Sequence, residues 1–227
     1  MNKRQSMGKC YLCGEIVGKA SMTRHLLACG HLESSGLLSP SKKQSTGQSF
    51  HLLVEGREAK AYWMHVALPI ASPLNKLDDF LRHAWLECCG HLSAFEIGGK
   101  RYASEPMDED ELMDEEMDMG TRLNQVLEAG TRFFYEYDYG STTALALKVV
   151  ALRERGSAKV QLLARNEAPQ VTCQRCGNKP ATQICTECAW NGEGWLCKSC
   201  LVAHECGDEM CLPVVNSPRV GVCGYTG

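Results

Sequence analysis

The chain has 227 residues, of which 44% are hydrophobic and 22% charged, and its formal net charge is -3. This composition is typical of a folded globular protein, and the small net charge excludes a global attraction to nucleic acid or membrane. No apolar run approaches the roughly 18 residues of a membrane span, and the basic N-terminus lacks the apolar segment of a secretory signal. We therefore expect a cytoplasmic protein with no membrane partner, whose fourteen cysteines are reduced thiols and metal ligands.

The N-terminal segment, residues 8–33, predicts a zinc finger. Its pattern C-x2-C-x11-H-x3-C is typical of a knuckle that presents two thiolates and a helix that presents two further ligands. Ser21 is the predicted N-cap of that helix, and His25 and Cys29 fall on one helical face. His31 is an alternative to Cys29 as the fourth ligand. The predicted ligands are Cys10, Cys13, His25 and Cys29.

Residues 50–165 form the stretch long enough to bury a sizeable core. The apolar runs SFHLLVEG and AYWMHVALPI predict two strands around a turn at Glu55-Gly56. Leucines at three-to-four spacing predict an amphipathic helix that begins at Ser72-Pro73 and ends at Gly90. These elements predict an α+β domain with one or two helices on one face of a sheet. Further elements are strands within 91–104, 131–139, 144–152 and 159–164 and a short helix at 121–129.

Polar segments separate or interrupt these parts. Residues 34–48 and 166–172 are predicted linkers, and the acidic residues 105–118 are predicted to form a solvated loop. We interpret the adjacent Cys88 and Cys89 as buried packing residues.

The central segment contains two runs that resemble one known family, AYWMHVALPIASPLNKLDDFLRHAWLECCGHLSAFEIGGKRY and GTRFFYEYDYGSTTALALKVV. They are similar to the plasmid ORF-three-like family, whose members also occur as passenger proteins of bacterial insertion elements. A Tyr-Asp-aromatic-Gly segment of that family is matched by Tyr137, Asp138, Tyr139 and Gly140. The resemblance covers residues 50–165 and implies an α+β domain and an association with mobile elements. No established reaction comes with it.

Residues 173–227 carry the most specific pattern, three C-x2-C pairs within 28 residues. Each pair can direct two thiolates at one tetrahedral Zn²⁺. A cross-brace order, similar in spacing to B-box-like and MYND-like zinc modules, predicts one site from the first and third pairs and another from the second pair and later ligands. A sequential pairing of the first two pairs is the alternative. The cross-brace sites are Cys173, Cys176, Cys197 and Cys200, and then Cys185, Cys188, His204 and Cys206, with Cys211 as the alternative to Cys206.

These ligands predict about three Zn²⁺ ions in closed structural sites, because four protein ligands leave no open position for a substrate. We therefore favour a non-enzymatic protein that binds a macromolecule through its zinc modules. Residues 1–43 contain seven Lys or Arg against two acidic residues, which favours nucleic acid as the partner of the N-terminal finger. The predicted phosphate contacts, in or beside the finger, are Lys3, Arg4, Lys9, Lys19 and Arg24. The nearly balanced charge of residues 169–227 favours a protein partner. The alternative is an enzyme of unknown reaction, with a pocket in the core near Asp138 and the histidines at 65, 83 and 91 and with purely structural zinc sites.

Overall fold

The computed structural model of the chain describes residues 6–34, 47–106, 116–154, 156 and 158–227, without the side chains of 30–34. The chain divides into two compact units. The central unit combines Met1–Leu81 with Leu92–Glu167, and the cysteine-rich unit combines Arg82–His91 with Ala168–Gly227. Most of the predicted linker at 34–48 and of the acidic loop at 105–118 lies outside the described residues.

A ten-stranded sheet dominates the described part of the central unit. Its strand order is β2-β1-β10-β4-β3-β9-β8-β5-β6-β7. Neighbouring strands are antiparallel, except for the parallel pair of β6 and β7 at one edge. The strands are β1 (Met7–Cys10), β2 (Ile16–Gly18), β3 (Ser49–Gly56), β4 (Trp63–Pro69), β5 (Ser93–Ile97), β6 (Lys100–Ala103), β7 (Glu116–Asp118), β8 (Arg132–Tyr137), β9 (Thr143–Arg153) and β10 (Gln161–Asn166).

The two long strands β8 and β9 show why the sequence folds this way. Along both strands, buried side chains alternate with more exposed ones, as expected when one sheet face covers a core. They pair in register from Arg132 opposite Lys148 to Tyr137 opposite Thr143. The buried set is Phe133, Tyr135, Tyr137, Thr143, Leu145, Leu147 and Val149.

The described residues of the central unit contain three helices, of which two are short. They are α1 (Lys19–Ser34), α2 (Leu74–Leu81) and α3 (Leu123–Val126). The predicted helix from Ser72 stops earlier than expected, because the chain changes at Arg82–Leu86 to a π-helix that belongs to the cysteine-rich unit. The described core is therefore sheet-dominated, and its α+β character is weaker than the sequence predicted.

A buried carboxylate joins α2 to the sheet. Asp78 lies on the buried face of α2, and its Oδ1 accepts hydrogen bonds from Ser93 Oγ and Tyr135 Oη, both at 2.7 Å. A buried charge needs such partners to offset its lost hydration. The hydroxyl of Tyr135 is thereby tied to the core.

The N-terminal segment is built onto the edge of this sheet. β1 pairs with β10, and β2 pairs with β1. At Gly8 a β-carbon would clash with the ring of Trp63 and with the carbonyl of Arg165, so glycine is needed for this close approach. The predicted finger at 8–33 thus shares the core of the central unit.

The cysteine-rich unit contains a small sheet in the order β12-β11-β13. The strands are β11 (Gln183–Cys185), β12 (Trp195–Leu196) and β13 (Cys211–Pro213), and the helices are α4 (Thr186–Ala189) and α5 (Lys198–Leu201). Among its described residues, the large buried apolar side chains are few: Trp85, Leu86, Ile184, Leu196 and Tyr225. Within the described residues of both units, no helix is long and apolar enough to cross a membrane.

Two buried histidines lie side by side on β3 and β4. Nε2 of His51 is 2.9 Å from Nδ1 of His65, and each residue is 1% exposed. Burial, together with the charge of Arg153, lowers the pKa of His51 from 6.5 to about 4. Burial, together with His51 and Lys19, lowers the pKa of His65 to about 3. Both imidazoles are therefore neutral at pH 7.

Acidification should weaken the central unit through this pair. The unfolded chain protonates these histidines near pH 6.5 and the folded unit only near pH 4 or below. The contribution of this pair to the free energy of unfolding should therefore be constant above about pH 7 and fall by a few kcal/mol between about pH 6.5 and 4. Urea unfolding across this range measures it. In the double variant His51→Gln/His65→Gln, the free energy of unfolding should depend less on pH. The same pH dependence as in the parent would contradict this account.

Candidate metal centres

The first cluster consists of Cys10, Cys13, His25 and Cys29, and its first half is a tight turn after β1. The N–H of Cys10 donates to the carbonyl of Glu15 at 2.8 Å, and the N–H of Gly14 donates to the carbonyl of Cys10 at 2.8 Å. These two bonds close the turn between β1 and β2. The turn brings the thiols of Cys10 and Cys13 to one side, as in a zinc knuckle.

The second half of the first cluster comes from α1. This helix begins at Lys19, two residues before the predicted cap Ser21. Met22 and Leu26 are buried on the same face as Cys29, and they pack in one apolar cluster with Trp63. This packing fixes the helix against the sheet, so that the ligands at 25 and 29, one turn apart, face the knuckle.

A carboxylate lies beside the ring of His25. Its Nδ1 lies 3.5 Å from Oε2 of Glu15, and its Nε2 lies 3.3 Å from Sγ of Cys13. A carboxylate on one ring nitrogen leaves the other free to bind a metal. Burial and the nearby thiols of Cys13 and Cys10 raise the pKa of Cys29 to about 12. The side chain of the alternative ligand His31 lies outside the described residues.

The second cluster joins the first and third C-x2-C pairs, Cys173 and Cys176 with Cys197 and Cys200. Gln174 connects the two halves through two hydrogen bonds to Trp195. Its side-chain Oε1 accepts the N–H of Trp195 at 2.9 Å, and its backbone N–H donates to the Trp195 carbonyl at 2.8 Å. Cys197 precedes α5, whose first turn carries Cys200. The structure therefore has the cross-brace grouping and not the sequential one.

Backbone amides surround the thiol of Cys173. Burial acts to raise its pKa, but the N–H groups of Cys176 and Cys197 outweigh burial and lower the pKa to about 6. Amides that point at a thiol favour its thiolate form, which is the form that binds a metal.

The third cluster is formed by Cys185, Cys188, His204 and Cys206. Cys185 ends β11, and Cys188 follows on α4. Sγ of Cys188 lies 3.6 Å from Nε2 of His204 and 3.8 Å from Sγ of Cys206. The later two ligands come from the turn after α5, where the N–H of His204 donates to the carbonyl of Leu201 at 3.0 Å.

Cys211 lies next to the third cluster and outside it. It is paired with Cys185 across β13 and β11. Its Sγ donates to the carbonyl of Gly207 at 3.5 Å, and burial with the neighbouring Cys185 raises its pKa to about 11. Between the two alternatives left open by the sequence, the structure brings Cys206 to the other three ligand atoms.

A fourth cluster was missed by the sequence analysis. It contains Cys88, Cys89, His91 and Cys223, all within the cysteine-rich unit. Cys89 is exposed and Cys88 half-buried, so the interpretation of this pair as buried packing was wrong. The spacing gave little indication of the site, because Cys223 follows Cys89 by 134 residues.

The distances within the clusters match tetrahedral coordination. A Zn–S bond of about 2.3 Å gives an S–S edge of about 3.8 Å in a tetrahedron. Sγ of Cys176 lies 3.8 Å from Sγ of Cys197, and the Cys188–Cys206 distance is the same. In each of the four clusters the ligand atoms lie within 4.8 Å of one another. All fourteen cysteines lie in the described chain as free thiols, so these groups are positioned to bind metal ions.

Comparison with known protein families identifies the family to which the chain is related through its central unit. The family described as Plasmid pRiA4b ORF-3-like protein matches residues 49–178. The chain belongs to this family. A crystal structure of a protein of unknown function from Methanosarcina mazei Go1 is similar at 14% identity and a TM-score of 0.44, covering 53% of this chain and 69% of that one. Comparison with curated proteins gives no significant match.

The ORF-3-like match covers only part of the candidate metal ligands. It begins at β3 and ends after Cys176, so it includes the first pair of the second cluster and excludes the second pair. The whole first cluster and the whole third cluster lie outside it. The family assignment therefore supports the central fold, and the terminal clusters depend on their own geometry.

The family segment at Tyr137–Gly140 forms a turn. Asp138 has a positive φ of 65°, and its Oδ1 accepts the N–H groups of Gly140 and Ser141 at 3.0 and 3.1 Å. Such bonds are typical of a carboxylate that stabilises its own turn. His65 is paired with His51, and His91 lies in the fourth cluster. Asp138, His65 and His91 thus each have partners of their own in the described chain.

Removal of Cys206 should cost the ORF-3-like protein one metal ion, whereas removal of Cys211 should not. Cys206 completes the third cluster, and Cys211 only borders it. Metal content per chain after gel filtration, measured by plasma emission spectroscopy, should fall by about one in Cys206→Ala and stay at the parent value in Cys211→Ala. The opposite order would assign Cys211 as the ligand. Each variant replaces one cysteine by alanine, and the two positions are five residues apart. Each variant therefore controls for the other.

Proposed function

We propose that this protein is a non-enzymatic zinc protein that binds a macromolecule through its terminal zinc modules. The observation that carries the proposal is the ligand set of the first three clusters, which contain only cysteine thiols and histidine nitrogens in groups of four. Sulfur and nitrogen donors in a tetrahedral arrangement favour Zn²⁺ over Mg²⁺ and Ca²⁺, which prefer oxygen. We assign one zinc ion to each of these three clusters.

Closed coordination supports a structural role. A catalytic zinc has three protein ligands and an open position for water, whereas these clusters provide four protein ligands each. Structural zinc is also suited to a unit with few large buried apolar residues. For the central unit we propose the α+β class, supported by α1, which contacts β1, β2 and β10.

Nucleic acid is the partner that we propose for the first cluster. Lys9 on β1 and Arg24 on α1 are exposed, and Tyr11 in the knuckle is 51% exposed. Cationic side chains next to an exposed aromatic ring can contact phosphates and stack on a base. The family is described by a plasmid open reading frame, which agrees with the proposed mobile-element context.

One predicted phosphate contact is already used inside the protein. Nζ of Lys19 lies 2.6 Å from Oε1 of Glu55 and donates to the carbonyl of Lys60 at 2.6 Å. We therefore remove Lys19 from the proposed contacts. The predicted contacts at Lys3 and Arg4 lie outside the described residues.

A protein partner is the second candidate, and it is specific to the cysteine-rich unit. Trp190 follows α4 and is 83% exposed, and Val202 follows α5 and is 88% exposed. Large apolar side chains so exposed are typical of protein-binding surfaces, where tryptophan often contributes much of the affinity. The nearly balanced charge of residues 169–227 suits this partner better than nucleic acid.

Charge reversal at Arg24 should weaken nucleic-acid binding by the zinc-loaded full-length protein. With few phosphate contacts, affinity should be low and should decrease with salt at a log-log slope of about -0.9 per contact. Arg24→Glu should lower the affinity for a fluorescent DNA oligonucleotide several-fold and reduce the slope by about one contact. Fluorescence anisotropy at several salt concentrations measures both quantities.

Arg132→Glu is the matched control, since Arg132 is also an exposed arginine, lies on β8 and undergoes the same charge change. It should leave binding close to the parent value. Deletion of residues 1–33 is a poor test, because it would remove β1 and uncover Trp63. If the parent shows no binding even at low salt, the nucleic-acid proposal is wrong and the protein-partner candidate gains support.

A further inference from the structure

The fourth cluster joins two distant segments of the cysteine-rich unit. Cys88, Cys89 and His91 follow the π-helix Arg82–Leu86, and Cys223 lies near the end of the chain. We propose that this cluster is a further zinc site, which cross-links the two sequence segments of that unit. The inference rests on the zinc chemistry proposed for the other clusters and uses none of their residues.

The four ligand atoms already surround a common point. Nε2 of His91 lies 3.0 Å from Sγ of Cys89 and 3.2 Å from Sγ of Cys223. Sγ of Cys89 lies 3.4 Å from Sγ of Cys88 and 3.8 Å from Sγ of Cys223. Tetrahedral edges around zinc are about 3.8 Å between two sulfurs and about 3.6 Å between sulfur and nitrogen, so the Cys89–Cys223 separation matches and the other three are shorter by roughly 0.4 to 0.6 Å. The set of three thiols and one imidazole is the same as in the first and third clusters.

The backbone is bent to bring these ligands together. Gly90 has a φ of 76°, which reverses the chain between Cys89 and His91 and returns the imidazole to the thiols. Cys223 has a φ of 47° and is one of two described residues other than glycine with positive φ. This conformation is unfavourable for a residue with a β-carbon, and it persists only where the surroundings hold it. A metal bound by Cys223 would be such a constraint.

A second set of contacts holds the C-terminal segment beside the ligands. Oγ of Ser217 donates to the carbonyl of Trp85 at 2.6 Å and accepts the N–H of Arg219 at 2.9 Å. The buried guanidinium of Arg219 donates to Sγ of Cys88 at 3.5 Å. Three thiolates and an imidazole around Zn²⁺ leave a net charge of -1, which this cation offsets. The neighbours of the cluster therefore fit its charged, metal-bound form.

A disulfide fits this arrangement less well than a metal. Sγ of Cys89 is 3.8 Å from Sγ of Cys223, far from the bond length of about 2.05 Å. A disulfide between them also gives no reason for the imidazole of His91 to contact both sulfurs. A third thiol, Cys88, lies on the same side. Four-ligand coordination accounts for all these contacts together.

The fourth site differs from the others in exposure. None of its ligands is buried, and Cys89 and Cys223 are exposed, whereas each of the other clusters contains at least one buried cysteine. Water and chelators reach exposed ligands more easily. We therefore expect the fourth zinc to be the first one that a graded chelator removes from the folded protein.

Zinc counts on the reduced full-length protein test the proposal. After gel filtration, plasma emission spectroscopy should give four zinc ions for the parent, three for Cys223→Ser and three for His91→Ala. His91→Cys should restore four, because a fourth thiolate is an equivalent ligand. Cys211→Ser is the control, since it removes a thiol of the same unit that borders only the third cluster, and it should retain four.

The outcomes separate this inference from the proposed function. Three zinc ions in both the parent and Cys223→Ser would overturn the fourth site and leave the other three standing. A count near zero in the parent would overturn the zinc proposal as a whole. A Cys89–Cys223 disulfide, detected by mass spectrometry in the reduced and zinc-treated parent, would also overturn the inference. If Cys223→Ser fails to fold, the zinc counts of His91→Ala and His91→Cys still test the fourth site. Equal zinc counts in these two variants would overturn it.

Discussion

Convergence of four sulfur and nitrogen ligands on one point is the constraint on which the cysteine-rich unit depends. This unit has few large buried apolar residues among those described: Trp85, Leu86, Ile184, Leu196 and Tyr225. A core of that size offsets little of the entropy lost when about seventy residues are ordered. A structural zinc ion contributes on the order of 10 kcal/mol, comparable to the stability of a whole domain. The proposed zinc ions therefore replace much of the missing core.

The central unit is stabilised differently. Its sheet has its own apolar core. Backbone hydrogen bonds pair β3 with β4 and with β9, and these bonds do not require a metal. The first cluster adds a knuckle and a helix at one side, where Gly8 lets Trp63 pack against β1. A metal bound there would fix the ligands of α1 and β1 relative to one another, while the described strands from β3 to β9 contain none of the candidate ligands.

The sequence predicted the parts of the structure that depend on local spacing. Paired cysteines at C-x2-C spacing indicated the knuckles, and alternating apolar residues indicated β8 and β9. It failed where distant residues meet. The fourth cluster needs Cys223 beside Cys89, and no short-range pattern connects positions 134 residues apart. Likewise, the salt bridge from Lys19 to Glu55, which removes a predicted phosphate contact, forms only once the sheet edge is assembled.

Hydrogen exchange on the full-length protein, with zinc bound and after chelation, tests most directly the claim that metal replaces a core in the cysteine-rich unit. On chelation, the amides of β11, β12 and β13 should lose their protection by several orders of magnitude. The amides of β3, β4 and β9 should keep theirs, because their hydrogen bonds lie within an apolar core. Equal loss of protection in both units, or unchanged protection of β11–β13 after complete zinc removal, would contradict the account.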